Sequence, residues 1–144
     1  MERKPIVFAK SVQVRFSDID RYQHVNTIYY PDYLFTSRFE FQKETYGLDG
    51  SYFDQQGIGF YTIRFEAFFR KMIPASAARV WIESFVEKVE GGLLKMKFKF
   101  SNEAGDLLYC EGGVDMFVID LKTQKPFRTI PDTMLDLVFE KAQS

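Results

Sequence analysis

Apolar and polar residues alternate over residues 5–17, which is the pattern of a strand with one buried face. The apolar side of this predicted strand holds Val12, Val14 and Phe16. The alternation stops at Asp18, and a polar loop runs from there to Asn26. Because the side-chain oxygen of Asn26 or Thr27 can accept from the free N–H groups of a first helical turn, we expect a helix to begin just after this loop.

The spacing of apolar residues becomes helical from Tyr30 onward. One face of this predicted helix holds Tyr30, Leu34, Ser37 and Phe41, with Tyr33 beside it. Pro31 fits best at the first helical position, so we expect a loose or 3₁₀ turn over residues 25–30 and a regular helix from about Pro31. Gly47 is expected to end the helix, and residues 48–59 form a connecting loop.

Four strand patterns follow the helix, over residues 60–69, 79–89, 93–100 and 107–120. The first is predicted to place Tyr61, Ile63, Phe65, Ala67 and Phe69 on one face. In the third, Leu94, Met96, Phe98 and Phe100 alternate with three lysines, so one face is buried and the other wet. Turns are expected over residues 72–77, at Gly91-Gly92 and over residues 102–105. Gly112-Gly113 predicts a bulge or a close backbone approach, and residues 131–142 a short terminal helix.

A strand, one long helix and four consecutive antiparallel strands predict an α+β fold, in which the sheet curls around the helix. The 144 residues fit a single domain over 1–144. The chain has 16 Phe and 8 Tyr, which favours a packed, sheet-rich core over disorder.

The formal net charge of −1 leaves no basic field that would attract nucleic acid. The single Cys excludes an internal disulfide and fits a cytoplasmic location. No segment has the apolar run of a signal peptide or of a membrane span, so neither is expected.

The loop before the helix gathers Asp18, Asp20, His24 and Asn26 within nine residues. Each has an ordinary structural interpretation, since carboxylates and amides cap helices and a lone His anchors loops. Together they also suit acyl transfer, because helix N–H groups can stabilise an oxyanion while a carboxylate attacks a carbonyl or activates water. The single His, without a Cys, a second His or an acidic residue at the spacing of a metal site, argues against zinc.

The run V-R-F-S-D-I-D-R-Y-Q-H-V-N-T-I-Y-Y-P-D-Y resembles the signature of hot-dog-fold acyl thioesterases of the 4-hydroxybenzoyl-CoA thioesterase type. Its D-x-D-x-x-x-H-V-N core is also similar to acyl-ACP thioesterases. The resemblance implies a hot-dog fold and a homodimer or homotetramer in which two protomers pair their sheets, with the active site at the interface. It implies no metal or redox cofactor, because CoA or phosphopantetheine belongs to the substrate.

The same resemblance implies roles for individual residues. Asp20 would be the nucleophile or the general base, and the N–H near Thr27 would bind the thioester oxygen. His24 would assist or orient, while Asn26 and Asp18 would shape the loop. Tyr22 stands where the acyl-ACP branch has an amide. Another hot-dog branch places its acid on the central helix, but Glu40 and Glu44 lie far from the helix start and are not favoured.

Substrate contacts are expected from two groups of residues. Candidates to line the acyl site are Tyr30, Tyr33, Leu34 and Phe60. Candidates to bind phosphates of CoA or of a carrier arm are Arg70, Lys71, Arg79, Lys95, Lys97, Lys99 and Arg128. For all of these, ordinary core or surface roles are the alternative.

The leading hypothesis is hydrolysis of acyl-CoA or of an acyl group on a carrier protein to free acid and thiol. Two alternatives stay open: a hot-dog module that binds acyl thioesters or a carrier protein without catalysis, and a dehydratase that acts on 3-hydroxyacyl thioesters. The dehydratase would need a histidine paired with an acid across the dimer, and His24 is the only histidine.

Overall fold

The computed structural model describes residues 3–141 and shows one antiparallel sheet curled around a long helix. The elements in chain order are β1 (Phe8–Gln13), α1 (Tyr30–Tyr46), α2 (Tyr52–Gln55), β2 (Ile58–Phe69), β3 (Arg79–Glu90), β4 (Leu93–Ser101), β5 (Leu108–Asp120), β6 (Lys125–Pro126) and α3 (Asp132–Val138). The sheet order is β1-β3-β4-β5-β2, with β6 paired to β5. The predicted α+β architecture is therefore confirmed, and β1 and β2 form the two edges of the main sheet.

The start and end of the central helix follow the local sequence. Thr27–Tyr29 forms a 3₁₀ turn, and α1 continues from Tyr30 with Pro31 in its first turn. Gly47 ends the helix with φ of 69°, the left-handed conformation that glycine adopts without a steric penalty. The predicted loose turn and helix stop are both confirmed.

The core lies between α1 and the concave face of the sheet. On β4 the apolar residues Leu94, Met96, Phe98 and Phe100 are all buried, as the alternation predicts. They face helix residues that are also buried, among them Tyr30, Tyr33 and Leu34. The lysines between them lie on the convex face, so one face of this strand is dry and the other wet.

β1 is shorter than the alternation of its sequence predicts, because the strand that pairs with it, β3, begins only at Arg79. Gln13 pairs with Arg79, the first residue of β3, so no strand is available to pair with the residues after Gln13. The chain instead forms a 3₁₀ turn over Phe16–Asp18, and Phe16 is 93% exposed. The assignment of Phe16 to a buried strand face is therefore wrong.

A β-bulge in β2 alters the face that its residues occupy. The register with β5 shifts between Thr62 and Arg64, after which Phe65 lies opposite Val114. Tyr61 pairs with Phe117 and is 68% exposed, so its predicted position on the same face as Phe65 is wrong. An extra residue in one strand reverses the alternation, which explains the error.

Gly112 marks a close backbone approach, as its sequence position predicts. A Cβ atom at this residue would lie 1.9 Å from the Glu66 carbonyl oxygen on the neighbouring strand.

The predicted loop over residues 48–59 contains the short helix α2. The predicted terminal helix ends early, at Val138, and its last residue, Ala142, lies outside the described residues.

Candidate active site

The loop between β1 and α1 folds back on itself and holds Asp20 at its tip. Ile19 and Val25 form a bridge across the loop. The Asp20 N–H donates to the His24 carbonyl oxygen at 2.9 Å, and the Gln23 N–H donates to the Asp20 carbonyl oxygen at 3.1 Å. Gln23 has φ of 65°, which permits the tight reversal. The main chain of Asp20 is thus held by hydrogen bonds to two residues of the same loop, His24 and Gln23.

The connection between β2 and β3 fastens this loop to the sheet. The Val25 N–H donates to the Ile73 carbonyl oxygen at 2.9 Å, and the Ala75 N–H donates to the Gln23 carbonyl oxygen at 2.8 Å. His24 and Pro74 form a further bridge. The main chains of Asp20, Gln23, His24 and Val25 are therefore all hydrogen-bonded, which limits the movement of Asp20.

The Asp20 carboxylate is oriented at one oxygen and unengaged at the other. Its Oδ1 accepts hydrogen bonds from the N–H of Tyr22 at 2.9 Å and, more weakly, of His24 at 3.4 Å. No residue in 3–141 donates a hydrogen bond to Oδ2. The side chain is half-buried. A fixed carboxylate with one oxygen available can attack a carbonyl carbon or take a proton from water.

Asp18, two residues earlier, is engaged in structure. Its carboxylate is 5% exposed and accepts from the Tyr33 hydroxyl at 2.7 Å and from Arg15 Nε at 2.6 Å. Burial by itself would raise the pKa of Asp18, but the hydrogen bonds from Tyr33 and Arg15 outweigh it and hold that pKa below its usual range. Because it is bonded to both Tyr33 and Arg15, Asp18 anchors the loop. Asp20 is the more accessible of the two carboxylates.

Arg15 joins the loop to the first turn of the helix. Its Nη2 lies 2.5 Å from Asp32 Oδ2, while its Nε contacts Asp18. Hydrogen bonds to Asp32 and Asp18 raise its pKa above the ordinary value. The sequence contains both partners, but only the reversal of the chain after β1 brings Arg15 to them, so sequence reasoning missed this residue.

The start of the helix offers one backbone donor. Asn26 Oδ1 accepts from the Ile28 N–H at 3.1 Å, and the Asn26 carbonyl oxygen accepts from the Tyr29 N–H at 3.0 Å. These caps leave the Thr27 N–H without a hydrogen-bond acceptor within residues 3–141. Thr27 itself is exposed. A free N–H in the 3₁₀ turn that leads into the positive end of α1 is suited to bind a carbonyl oxygen or an oxyanion.

The remaining predicted loop residue, His24, is held by its main chain. Its imidazole is half-buried and makes no hydrogen bond to a residue in the described range. Its assisting role therefore stays a prediction. Within residues 3–141 no group of three His, Cys, Asp or Glu side chains could hold a metal ion.

The tyrosines expected to line the acyl site are part of the core. Tyr30 is fully buried and stacks on Phe100 at 5.5 Å, and burial raises its pKa to about 12. Tyr33 is 1% exposed and bonded to Asp18. Leu34 is also fully buried. None of the three borders the apolar cavity of the described residues that Phe60 lines, and their contact with substrate stays a prediction.

Phe60, in contrast, lines an apolar cavity of about 240 Å³ between α1, β2 and α3. Phe60 is 40% exposed and lies near the start of β2, whereas the Asp20 loop lies beside the connection after the end of β2. The cavity and the loop of one chain are thus at opposite ends of the edge strand.

The cations predicted to bind phosphates lie at different distances from the Asp20 loop. Arg70 and Lys71 follow directly after β2, on the side of the Asp20 loop. The β4 lysines lie on the convex face, with Glu83, Glu87 and Glu90 between 3.7 and 3.9 Å away. Arg128 is exposed beside the Gly91 turn, where β3 ends, and the 12 residues of β3 separate it from the loop by roughly 40 Å. Arg128 is therefore far from Asp20 of the same chain, and its contact with substrate stays a prediction.

Several solved structures share this fold. A DHNA-CoA thioesterase from Staphylococcus aureus is 21% identical, with a TM-score of 0.71 over 85% of this chain and 80% of that chain. A thioesterase superfamily protein from Jannaschia sp. CCS1 is 15% identical, with a TM-score of 0.79 over 99% of both chains. A second Staphylococcus aureus protein, solved in complex with CoA, is 14% identical, with a TM-score of 0.74 over 95% of this chain and 84% of that chain.

These likenesses confirm the predicted hot-dog fold. No curated protein matches the sequence. Within residues 3–141 no helix is both long enough and apolar enough to cross a bilayer. The model of the family described as the Thioesterase-like superfamily matches residues 14–137, which include the Asp20 loop, the central helix and all of β2–β5. This chain therefore belongs to the Thioesterase-like superfamily.

Proposed function

We propose that the protein hydrolyses acyl thioesters of CoA or of an acyl carrier protein to a free acid and a thiol. The observation that carries the proposal is that, within residues 3–141, Asp20 Oδ2 accepts no hydrogen bond and the Thr27 N–H of the same hydrogen-bonded loop donates none. The Ile19–Val25 bridge and the 2.9 Å bond from the Asn26 N–H to the Asp18 carbonyl oxygen hold the two arms of the loop side by side. Membership of the superfamily supports thioester hydrolysis as the class of reaction.

The reaction requires one base or nucleophile and one oxyanion donor. In the first route, Asp20 takes a proton from water, the hydroxide oxygen bonds to the carbonyl carbon, and the negative charge moves to the carbonyl oxygen at the Thr27 N–H. The C–S bond then breaks, and the thiolate receives the proton from Asp20. In the second route, Asp20 itself bonds to the carbon, expels the thiolate and leaves an anhydride that water cleaves.

Asn26 serves this chemistry by holding the donor in place. Its side chain caps the Ile28 N–H and its main chain binds Asp18, so it fixes the turn in which Thr27 lies. His24 is adjacent through its main-chain bond to Asp20 and would orient the acid or the leaving group. Arg70 and Lys71 directly follow β2, on the side of the fold where this loop lies, and would bind phosphates of the substrate.

A homodimer through β2 would join the loop to the apolar cavity. β2 is an edge strand of 12 residues, and five of its apolar side chains are at least 40% exposed: Phe60, Tyr61, Ile63, Phe68 and Phe69. An open apolar edge of this length is a template for pairing with another strand. Antiparallel pairing of two copies would set the Phe60 end of one strand beside the loop end of the other, so that one site would contain both features.

The substrate class is narrowed by one neighbour. The Staphylococcus aureus protein of the same fold was solved in complex with CoA, which supports a CoA thioester here as well. A carrier protein remains the alternative donor, and a cytoplasmic location remains a prediction.

The direct test is thiol release from short, long and aromatic acyl-CoAs, 4-hydroxybenzoyl-CoA among them, by wild type and Asp20→Asn. Loss of the general base or nucleophile should reduce kcat by about 10²–10⁴-fold with an unchanged circular dichroism spectrum. Asp54→Asn, the same change at an exposed carboxylate, is the control and should keep the wild-type rate. Near-full activity of Asp20→Asn would refute the assignment. Tight acyl-CoA binding without turnover, on CoA and carrier thioesters alike, would instead indicate a binding module.

A further inference from the structure

The wall of the apolar cavity contains a cation without an anionic partner. Arg38, on the inner side of α1, donates from Nη1 to Ser84 Oγ at 2.8 Å, and its Cζ lies 4.0 Å from the centre of the Phe8 ring. No carboxylate of residues 3–141 lies within 4.0 Å of its guanidinium. A guanidinium has five N–H donors, and the named hydrogen bond uses one of them.

A second polar group lies one helical turn further along the same wall. Gln42 is 7% exposed, and its Nε2 has no hydrogen-bond partner among the described residues. Arg38 and Gln42 both line the cavity, at positions i and i+4 of α1. The rest of the wall is almost wholly apolar and includes Phe8, Phe35, Phe53, Phe60, Leu94 and Met96.

Packing alone does not account for this pair. A leucine or methionine at either position would fill the same space without a desolvated charge or an unpaired amide, and such groups are disfavoured unless they are compensated. Burial lowers the pKa of Arg38 to about 9, so the guanidinium remains a cation at neutral pH. A cation and an amide that converge on an apolar cavity complement a molecule with an apolar body and an anionic, hydrogen-bond-accepting end.

We propose that this cavity binds an apolar carboxylate, whose carboxylate group pairs with Arg38 and accepts from Gln42. The cavity has a volume of about 240 Å³, which suits a short alkyl chain or a single aromatic ring. The exposed rings of Phe39 and Phe60 border the cavity and mark its entrance.

Two sources could supply such a carboxylate. One is the far end of an acyl group that enters as a thioester, which rests on the proposed function and would make the substrate a half-thioester of a dicarboxylic acid. The other is a free fatty acid, which needs no catalysis. The ligand chemistry at Arg38 is the same in both cases, and the experiment below separates them.

The first measurement is calorimetric titration of the wild-type protein with octanoate and with octan-1-ol, which shares the chain but lacks the charge. We expect octanoate to bind with one site per chain and about 10- to 100-fold more tightly than the alcohol, the range of a charge-assisted hydrogen-bonded pair. Arg38→Met should abolish that preference. Lys43→Met removes an exposed charge from the same helix and should leave it unchanged.

Thermal unfolding of the variants separates a ligand site from a structural role. Removal of an uncompensated cation should keep or raise the Tm of Arg38→Met, and Gln42→Leu should behave in the same way while weakening octanoate binding. If Arg38 is only structural, Tm falls and the preference for octanoate persists in any folded variant that lacks the charge, including Arg38→Met. Equal binding of octanoate and octanol by wild type, or no binding of either, would also overturn the proposal.

The second measurement compares the hydrolysis of suberoyl-CoA, which ends in a carboxylate, with that of octanoyl-CoA. A higher kcat/KM for suberoyl-CoA in wild type, lost in Arg38→Met, would assign the carboxylate to the acyl group. Octanoate binding with no such preference would assign the site to free fatty acids. Because octanoate binding requires no turnover, a failure of the thioesterase assignment would not be mistaken for a failure of the carboxylate site.

Discussion

The hydroxyl of Tyr33 donates a 2.7 Å hydrogen bond to Asp18 Oδ2, and this bond joins the central helix to the loop that carries Asp20. The same hydroxyl accepts from the Arg15 N–H at 3.1 Å. Arg15, Asp18 and Tyr33 therefore form one hydrogen-bonded corner between β1 and α1, in which Asp18 and Tyr33 are buried and Arg15 is exposed. The candidate catalytic acid lies only two residues beyond it, so the stability of this corner bears on the position of Asp20.

Tyr33→Phe should destabilise the protein by about 1–3 kcal/mol at pH 7, because Asp18 stays buried while it loses a hydrogen bond. Urea denaturation measures the free energy of unfolding. Tyr22→Phe removes a hydroxyl from a side chain that is 64% exposed, and it should change stability by less than about 0.5 kcal/mol.

The stability that Asp18 contributes should depend on pH. Its folded pKa lies below the unfolded value of about 3.9, so its contribution is complete above pH 4 and is lost as the pH falls through the folded pKa. The difference between wild type and Tyr33→Phe should therefore shrink in acid. A difference that grows below pH 4 would contradict the hydrogen bond from Tyr33 to an ionised Asp18.

Thr27→Pro tests the oxyanion donor by removing a single N–H. Asn26 has φ of −65° and ψ of 133°, which is the extended conformation that a residue before proline prefers, and Thr27 is the first residue of a helical turn, where proline is tolerated. We expect kcat to fall by about 10²–10³-fold with little change in stability.

The matched variant for this position is Thr27→Ala, which keeps the N–H and removes the hydroxyl. It should retain activity within a few fold of wild type. If the alanine variant loses as much activity as the proline variant, the hydroxyl rather than the main-chain N–H is the functional group.

Gly112→Ala should disrupt the pairing of β2 with β5. The new Cβ would lie 1.9 Å from the Glu66 carbonyl oxygen and 2.9 Å from Phe98 Cζ, so the backbone must shift. We expect a loss of about 3 kcal/mol or more in chemical denaturation. Gly113→Ala, whose nearest contacts would be 3.2 Å and 3.3 Å, should cost clearly less. Equal losses would mean that the close approach at Gly112 is not the cause.

Ile63→Lys tests the proposed dimer. Ile63 lies at the bulge of the edge strand and is 55% exposed, so a lysine there places a charge on the surface that would pair with a second copy. We expect light scattering to show a dimer for wild type and a monomer for the variant. Phe16→Lys, at a side chain that is 93% exposed outside the sheet, should stay dimeric. A monomeric wild type would refute pairing through β2.

Local features of the sequence were enough to predict most of the framework. The proline and glycine at the two ends of α1, the alternation along β4 and the close approach at Gly112 each depend on backbone conformation or on side-chain spacing within one segment. The sequence also marks Asp20, Asn26 and Thr27 as neighbours at a helix start, because all three lie within eight residues.

Other features depended on where distant segments meet. Phe16 continues the alternation of β1, yet it is exposed because β3 begins opposite Gln13. Tyr61 changes face because β2 carries one more residue than β5 at the bulge. Both outcomes are set by the register between strands, which a single strand does not encode.

The sequence by itself thus determined the order of elements, the limits of the central helix and the loop that holds the candidate acid. Only the tertiary structure decided that Asp18 is an internal anchor and Asp20 the accessible carboxylate. The two side chains are chemically identical, but Asp18 is bonded to a residue of α1, whereas Asp20 is bonded only within its own loop. It likewise placed Arg38 and Gln42 against an apolar cavity, although their helix spacing alone is that of an ordinary polar pair. When α1 packs between the sheet and α3, each polar side chain becomes buried or exposed and gains or lacks hydrogen-bond partners. This environment, rather than the residue type, decides which polar groups are left to bind a ligand.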